Sequence, residues 1–314
     1  MSDAPVLSVV VPVYNEEDCV ERFHRELAGT LRSMVETYEV VYVDDGSTDR
    51  SLELIDRIRS LDQHAHAVVL TRNFGHQLAL TAGLEFARGA AVVTMDADLQ
   101  HPPELIPRMM EEWRKGALVV NTVRTDTVDA GPLKRLTSRL FYGLINSLSK
   151  TPVRADAADF RLMDRRAVEA LRSMKERHRF LRGMIGWLGF PEAKVEFAAG
   201  KRAGGESKYT WRKMFSMAAD GIVSSSTLPL KAALLLGLAA LGLCALYAVY
   251  VFYMFAFHGV ILIKGWASTV LLTMFLGGCQ LILLGVTGEY IGRIYEEIKS
   301  RPLFLVKELR GPHR

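Results

Sequence analysis

Five short runs of β-branched residues punctuate the first 123 positions of the chain: Leu7–Tyr14, Glu39–Val43, Ala67–Thr71, Ala91–Met95 and Leu118–Val123. Between them lie stretches whose apolar residues recur at helical spacing, such as Ser51–Leu61 and Pro103–Lys115. Strands of continuous Val and Ile are buried on both faces. Their alternation with helices predicts an α/β fold built on a mostly parallel, doubly wound sheet.

The pattern changes toward the C-terminus. Ala232–Phe257 and Ala267–Gly288 are uncharged runs of 26 and 22 residues, long enough as helices to cross about 30 Å of hydrocarbon. A buried globular hairpin is the alternative, but helices of this length would expose apolar surface on every side. Before them, Trp211, Met214, Phe215, Ala218 and Ile222 follow helical spacing beside Lys208, Arg212 and Lys213, the pattern of a helix lying in a membrane interface. After them, Ile291, Ile294, Tyr295 and Ile298 continue a stripe that Pro302 must end or kink. That stripe packs under the catalytic domain or against another subunit, which leaves a homo-oligomer open. The expected organisation is a catalytic domain over 1–206, an amphipathic region over 207–231, a two-helix transmembrane hairpin over 232–288 (232–257 and 267–288), and a cytosolic helix and tail over 289–314.

Charge orients this hairpin. Lys264 is the one fixed charge between the apolar runs, whereas Lys208, Arg212, Lys213 and Lys231 flank one side and Arg293, Lys299, Arg301, Lys307 and Arg310 the other. The positive-inside rule puts both termini and the catalytic domain in the cytoplasm. Val6–Val13 has no basic leader or cleavage site, so it fits a first strand better than a signal peptide. Of three cysteines, Cys244 and Cys279 fall in the apolar runs and Cys19 stands alone, so neither a disulfide framework nor a cysteine metal site is expected. No basic stripe with interleaved aromatics suggests nucleic acid.

Polar clusters follow four of the strands: Asn15-Glu16-Glu17, Asp44-Asp45-Gly46-Ser47, Arg72-Asn73-Phe74-Gly75 and Asp96-Ala97-Asp98. In doubly wound sheets the ligand lies beyond these strand ends, so the clusters mark one crevice. It lacks the glycine fingerprints of dinucleotide-binding and P-loop enzymes. Being acidic, it needs a cation to bridge any phosphate. Asp96 and Asp98 suit Mg²⁺ or Mn²⁺, which take one or two carboxylates and fill the remaining positions with water and phosphate oxygens. Gln100 adds an amide oxygen. Alternation along a strand would aim the two aspartates to opposite faces, so a turn must re-aim one. Asp44–Asp49 is either a glycine turn with Ser47 or Thr48 capping the next helix, or a carboxylate cluster for a ribose or base edge. Arg72 forms a surface ion pair or meets base or phosphate.

The motifs PVYNEE (Pro12–Glu17), DDGSTD (Asp44–Asp49), RNFGHQ (Arg72–Gln77) and DADLQHPPE (Asp96–Glu104) together resemble the family 2 glycosyltransferases of GT-A fold. Asp159–Met163, the segment from Arg202 through Ser207 and Lys208 to Tyr209, and Gly288–Phe304 resemble the polyprenyl-phosphate glycosyltransferases among them. The resemblance runs from about Leu7 to Val306. It implies that Asp96, Asp98 and Gln100 hold the metal and that Pro12, Tyr14, Glu16, Asp44, Asp45, Arg72, Asp96 and Arg124 serve a nucleotide-sugar donor. Arg135, Ser138, Arg202, Ser207 and Lys208 are carried over to a lipid phosphate, with Lys134 able to exchange roles with Arg135. Asp98 and Asp159 are the candidate catalytic residues, Asp159 as base or as orienting carboxylate; its alternative is an ion pair with Arg161 or Arg165.

A lipid phosphate is largely dianionic near pH 7, so it needs little help from a base. The expected reaction is an inverting single displacement onto polyprenyl phosphate at the cytoplasmic face, with UDP-glucose the first choice of donor and product flipping left to another protein. A processive polysaccharide synthase is disfavoured by the absence of a Gln-x-x-Arg-Trp motif and by two spans being a poor pore. A non-catalytic membrane scaffold is disfavoured by the intact Asp96, Asp98 and Arg202.

Overall fold

The structure is a computed structural model that describes residues 4–34, 37–124, 157–177, 179–197, 228–258 and 265–311. Its strands are β1 (Leu7–Val13), β2 (Tyr38–Asp44), β3 (Ala65–Leu70), β4 (Ala91–Thr94), β5 (Val119–Arg124), β6 (Ala157–Asp164), β7 (Glu192–Phe197) and β8 (Val306–Arg310). Helices are α1 (Val20–Arg32), α2 (Ser51–Leu61), α3 (His76–Phe86), α4 (Ile106–Arg114), α5 (Arg165–Ser173), α6 (Leu181–Leu188), α7 (Leu228–His258) and α8 (Trp266–Ile298). A 3-10 turn over Pro103–Leu105 leads into α4.

These strands form one sheet in the order β7-β5-β6-β4-β1-β2-β3-β8. The centre, β4-β1-β2-β3, is parallel. β6 runs antiparallel between β4 and β5, and β8 runs antiparallel along β3. Every residue of β1, β2 and β3 is buried, as continuous apolar strands covered on both faces must be. Alternate residues of β1 serve opposite cores: Val9 and Val11 pack with Phe23, Leu27 and Ile55, while Val10 packs with Leu80, Val168 and Leu171. α3 comes so close to the sheet that a Cβ on Gly83 would stand 2.2 Å from Val10 Cγ1.

The C-terminal segment departs from the expected helix and tail. α8 continues unbroken through the Ile291–Ile298 stripe to Ile298 and stops before Ser300, whose φ is +47°. The chain then returns to the sheet as β8, and the Thr71 N–H donates to the Leu305 carbonyl at 3.0 Å. β8 is therefore part of the catalytic unit, which also holds the described residues up to 197; α7 and α8 form a second compact unit. A tail of the composition VKELR carries its charges on a sheet edge, where lysine and arginine deter further pairing.

α7 and α8 span 31 and 33 residues and contain stretches, Ala232–Met254 and Leu272–Ile298, long and apolar enough to cross a membrane. Leu234, Leu241, Phe252, Leu281 and Ile291 are exposed along these two helices. Most of the expected amphipathic region, residues 207–227, lies outside the described residues.

Candidate active site

The loops after β1 and β2 are laced together at the carboxyl end of the sheet. Asn15, with φ +54°, accepts the Thr48 N–H on its side-chain oxygen at 2.8 Å, while its own N–H donates to Ser47 Oγ at 3.2 Å. The Glu16 N–H donates to Ser51 Oγ at 2.8 Å, and Asp49 accepts the N–H groups of Glu17 at 3.2 Å and Ser51 at 3.0 Å. Ser47 and Thr48 thus hold the neighbouring loop rather than cap α2, whose N-cap, Arg50, makes no side-chain cap bond. Tyr14 is exposed on this loop. Pro12 is buried within β1, so it shapes the strand end and offers no surface to the crevice.

Asp44 and Asp45 are both buried, and burial pushes both carboxyls up despite hydrogen bonds that favour ionisation. Asp44 accepts the Ser47 N–H at 3.3 Å. Asp45 accepts the Phe74 and Gly75 N–H groups at 2.7 and 2.9 Å, one on each oxygen. Its observed work is to hold the Arg72–Gly75 loop beside the second strand end. Gly46 makes that approach possible: its φ is +69°, and a Cβ would lie 2.5 Å from the Arg72 carbonyl carbon. Arg72 lies over the Phe74 ring, 4.2 Å from its centroid, a cation–π contact in place of the surface ion pair considered from sequence.

β4 stops at Thr94, so Asp96 and Asp98 both belong to the turn after it and strand alternation no longer separates them. The Gln100 N–H donates to Asp98 Oδ1 at 3.1 Å, and Leu99 between them has φ +62°. A branched-chain residue in the left-handed region is strained, which marks a turn held by its surroundings. Asp96 is partly exposed. His76 Nε2 stands 3.6 Å from its Oδ1 and His101 Nδ1 4.0 Å from its Oδ2. Burial pushes the Asp96 carboxyl up, against the two imidazoles, and the neighbouring carboxylates Asp98 and Asp159 push it further.

Asp159 is brought to the same place by the β4–β6 pairing, where Thr94 Oγ1 donates to the Asp159 carbonyl at 2.6 Å. Its carboxylate takes a two-pronged contact from Arg182, Nε to Oδ1 at 2.8 Å and Nη2 to Oδ2 at 3.0 Å. Arg161 Nη2 lies 3.4 Å from Oδ1 and His76 Nε2 3.5 Å from Oδ2. Burial opposes ionisation, but His76, Arg182 and Arg161 outweigh it and hold this carboxyl far below the usual range. Arg161, fully enclosed, is pushed down to about 10 by burial. Of the two arginines in the alternative reading of Asp159, Arg161 is thus beside it, while Arg165 is elsewhere, donating through Nε to the Gly89 carbonyl at 2.9 Å.

The structure therefore joins Asp96, Asp98 and Asp159 in one site, while Asp44 and Asp45, buried like Pro12, brace the neighbouring loops, Asp45 the one that carries Arg72. Arg124 ends β5, with its side chain outside the described residues. Arg135, Ser138, Arg202, Ser207 and Lys208 lie outside them as well. Sequence reading gave no role to His76, His101 or Arg182. His76 and His101 sit within quoted motifs; the available signal for Arg182 was a lone charge in the otherwise uncharged LRGMIGWL of α6.

The donor set fits a divalent cation. Among the described residues no three histidine, cysteine or acidic side chains gather as a closed metal cage. The residues present are instead the one or two carboxylates that Mg²⁺ or Mn²⁺ takes when substrate oxygens complete its shell.

A mostly parallel sheet flanked by helices, with an acidic turn at a central strand end, is the architecture expected of a GT-A fold. Residues 8–172 match glycosyl transferase family 2; the chain belongs to that family and is a glycosyltransferase. It is similar to the uncharacterized glycosyltransferase YkcC of Bacillus subtilis (strain 168), 41% identical over 304 residues covering 97% of this chain and 94% of the relative. It is also similar to the SfII prophage-derived bactoprenol glucosyl transferase of Shigella flexneri, 38% identical over 302 residues covering 96% and 97%. Among solved structures, Staphylococcus aureus TarS 1–349 in complex with UDP-GlcNAc superposes with a TM-score of 0.46 at 20% identity, covering 70% of this chain and 66% of that one.

Proposed function

We propose that this glycosyltransferase moves a sugar from a nucleotide-sugar, UDP-glucose as first choice, to polyprenyl phosphate such as undecaprenyl phosphate at the cytoplasmic face of a membrane. The observation that carries this reading is the 96% coverage of the chain by a relative named bactoprenol glucosyl transferase. That match includes the α7–α8 hairpin, not the catalytic sheet alone. The hairpin gives a lipid acceptor a physical reason: an enzyme whose acceptor phosphate emerges at a bilayer surface works best when anchored there. The return of the chain as β8 supports an even number of crossings, because β3 and β8 share one sheet. The basic flanks support a cytoplasmic catalytic domain.

Asp96 and Asp98, with Gln100, would hold Mg²⁺ or Mn²⁺, which when bound offsets the charge of a diphosphate leaving group. The loops carrying Tyr14, Glu16, Asp44, Asp45 and Arg72 form the wall for the nucleoside. The acceptor phosphate oxygen forms the new bond to the anomeric carbon as the bond to the donor diphosphate breaks, with inversion. Because that phosphate is already largely dianionic at pH 7, no proton need be removed. This suits Asp159: a carboxyl held so far below its ordinary range is a poor base, and its contacts make it an orienting group. Arg202 and Lys208 remain assigned to the lipid phosphate together with Arg135, Ser138 and Ser207.

The test uses detergent-solubilised full-length protein with Mg²⁺ or Mn²⁺, undecaprenyl phosphate and a panel of labelled nucleotide-sugars. A lipid-linked labelled sugar is expected with one donor, and its formation should stop on chelation. Folded protein that labels no lipid with any donor contradicts the reading.

A further inference from the structure

Asp159 is held by two arginines of different character. Arg161 is enclosed, its side chain 4% exposed, while the Arg182 side chain is 30% exposed. Arg161 also feels the attraction of Glu192, so it belongs to the packed sheet. Arg182 comes from a different element, the first turn of α6, where a cation is opposed by the helix dipole. Its position is nevertheless fixed twice. Gln77, the residue after His76, accepts the Leu181 N–H on Oε1 at 3.1 Å and pins the start of α6. The Asp159 fork then sets the guanidinium plane through Nε and Nη2.

From Asp96 the side chains run in sequence, His76 at 3.6 Å, His76 to Asp159 at 3.5 Å, and Asp159 to Arg182 at 2.8 Å. The site therefore has an acidic pole at the Asp96–Asp98 turn and an arginine, oriented and partly solvent-exposed, at the other end. A transfer between two phosphorylated molecules needs this separation: one anion is neutralised at the acidic pole through a cation, the other must be met by a fixed positive group. Arginine suits that task because its planar fork matches phosphate oxygens and does not lose its charge.

We propose that Arg182 binds the phosphomonoester of the acceptor and sets its approach, with Asp159 as the residue that positions it. This rests on the reading of the protein as a polyprenyl-phosphate glycosyltransferase and adds a residue to that site. It gives Asp159 work that needs no proton transfer: it orients the arginine and does not itself touch the nucleophile.

The experiment measures steady-state transfer to undecaprenyl phosphate, and calorimetric binding of UDP with Mn²⁺, for wild type, Arg182→Lys and Arg182→Ala. All are full-length in detergent, with melting temperatures recorded. Losing a charge-assisted hydrogen bond should raise the acceptor KM by at least about tenfold in Arg182→Lys. UDP affinity should fall by less than the acceptor KM rises, since Arg182 reaches the Asp96 pole only through Asp159 and His76. Added ethylguanidinium should lower the raised acceptor KM of Arg182→Ala. Asp159→Asn should raise the acceptor KM in the same direction. An unchanged acceptor KM in Arg182→Lys, or UDP affinity falling in step with it, overturns the assignment while wild-type transfer to lipid leaves the proposed function standing. A folded wild type that transfers to no lipid phosphate overturns both. If Arg182→Ala does not fold, Arg182→Lys alone decides.

Discussion

Asp96 and Asp159 face the same imidazole, yet the protein treats them in opposite ways. Asp159 is surrounded by Arg182, Arg161 and His76 and is held far below its ordinary range. Asp96 has two imidazoles at 3.6 and 4.0 Å and two carboxylates for neighbours, and its carboxyl is pushed up. Neighbouring carboxyls driven apart by their surroundings mark a division of labour. One is satisfied within the fold and serves to orient. The other is pushed up chiefly by burial, with no arginine paired to it among the described residues, which suits the proposed role of cation ligand.

Replacement by asparagine separates the two most sharply. Asp96→Asn should reduce transfer by about a thousandfold, roughly 4 kcal/mol of barrier, as loss of a principal electrostatic contact does. Its folding stability should move the other way. A raised carboxyl pKa means that ionisation costs stability above the ordinary range, so in metal-free buffer at pH 7 the neutral variant should melt at or above the wild-type temperature. A substantial loss of melting temperature would break the comparison.

Asp159→Asn should cost about 3 kcal/mol of stability, the order expected when one partner of a buried ion pair is removed. The sign with pH follows from the depressed pKa. Its contribution is present above the unfolded carboxyl value and lost as pH falls below about 4. Denaturant titrations at pH 7 and pH 3 should show the variant's deficit shrinking at the lower pH; an equal deficit at both would contradict the pairing.

Asp45→Asn tests a third kind of carboxylate, one satisfied by backbone. An amide can accept only one of the Phe74 and Gly75 N–H groups, so a loss of about 1–3 kcal/mol is expected from the orphaned donor, with weaker UDP binding as the Arg72 loop loosens. Unchanged UDP affinity by calorimetry would remove the loop from the donor site. The smallest effect is a control. Arg172 and Glu85 make the same two-pronged pair at 3.0 and 2.8 Å but are open to solvent, 36% and 44% exposed. Arg172→Ala should cost below about 1 kcal/mol and leave transfer unchanged; a cost matching Asp159→Asn would show that burial is not what distinguishes the two pairs.

The same contrast explains what the sequence discloses. β1 to β4 were legible because central parallel strands are dominated by buried apolar residues, β5 because Val119, Val120 and Val123 still make a β-branched run, and the turns after such strands are where these sheets bind ligands. β6, β7 and β8 were not. AADFRLMD, EAKVEF and VKELR mix apolar with charged residues because they flank or edge the sheet, and their pairing depends on chain far away in sequence. Asp96 and Asp98 were recognisable because both candidate metal ligands lie in one turn. The fork on Asp159 was not, since Arg182 is 23 residues away and reaches it only after α6 is pinned to Gln77. The clusters at Asp44 and Asp49 lie at the strand ends as expected, but the sequence hid the part they play in bracing the loops there.

Calorimetric titration of UDP into full-length wild type, Asp96→Asn and Arg182→Ala, each with Mn²⁺ and with chelator, tests the two-pole site most directly. The expected result is binding that requires Mn²⁺ in the wild type, is lost in Asp96→Asn and persists in Arg182→Ala. Metal-independent binding in the wild type, or equal loss in both variants, would contradict it.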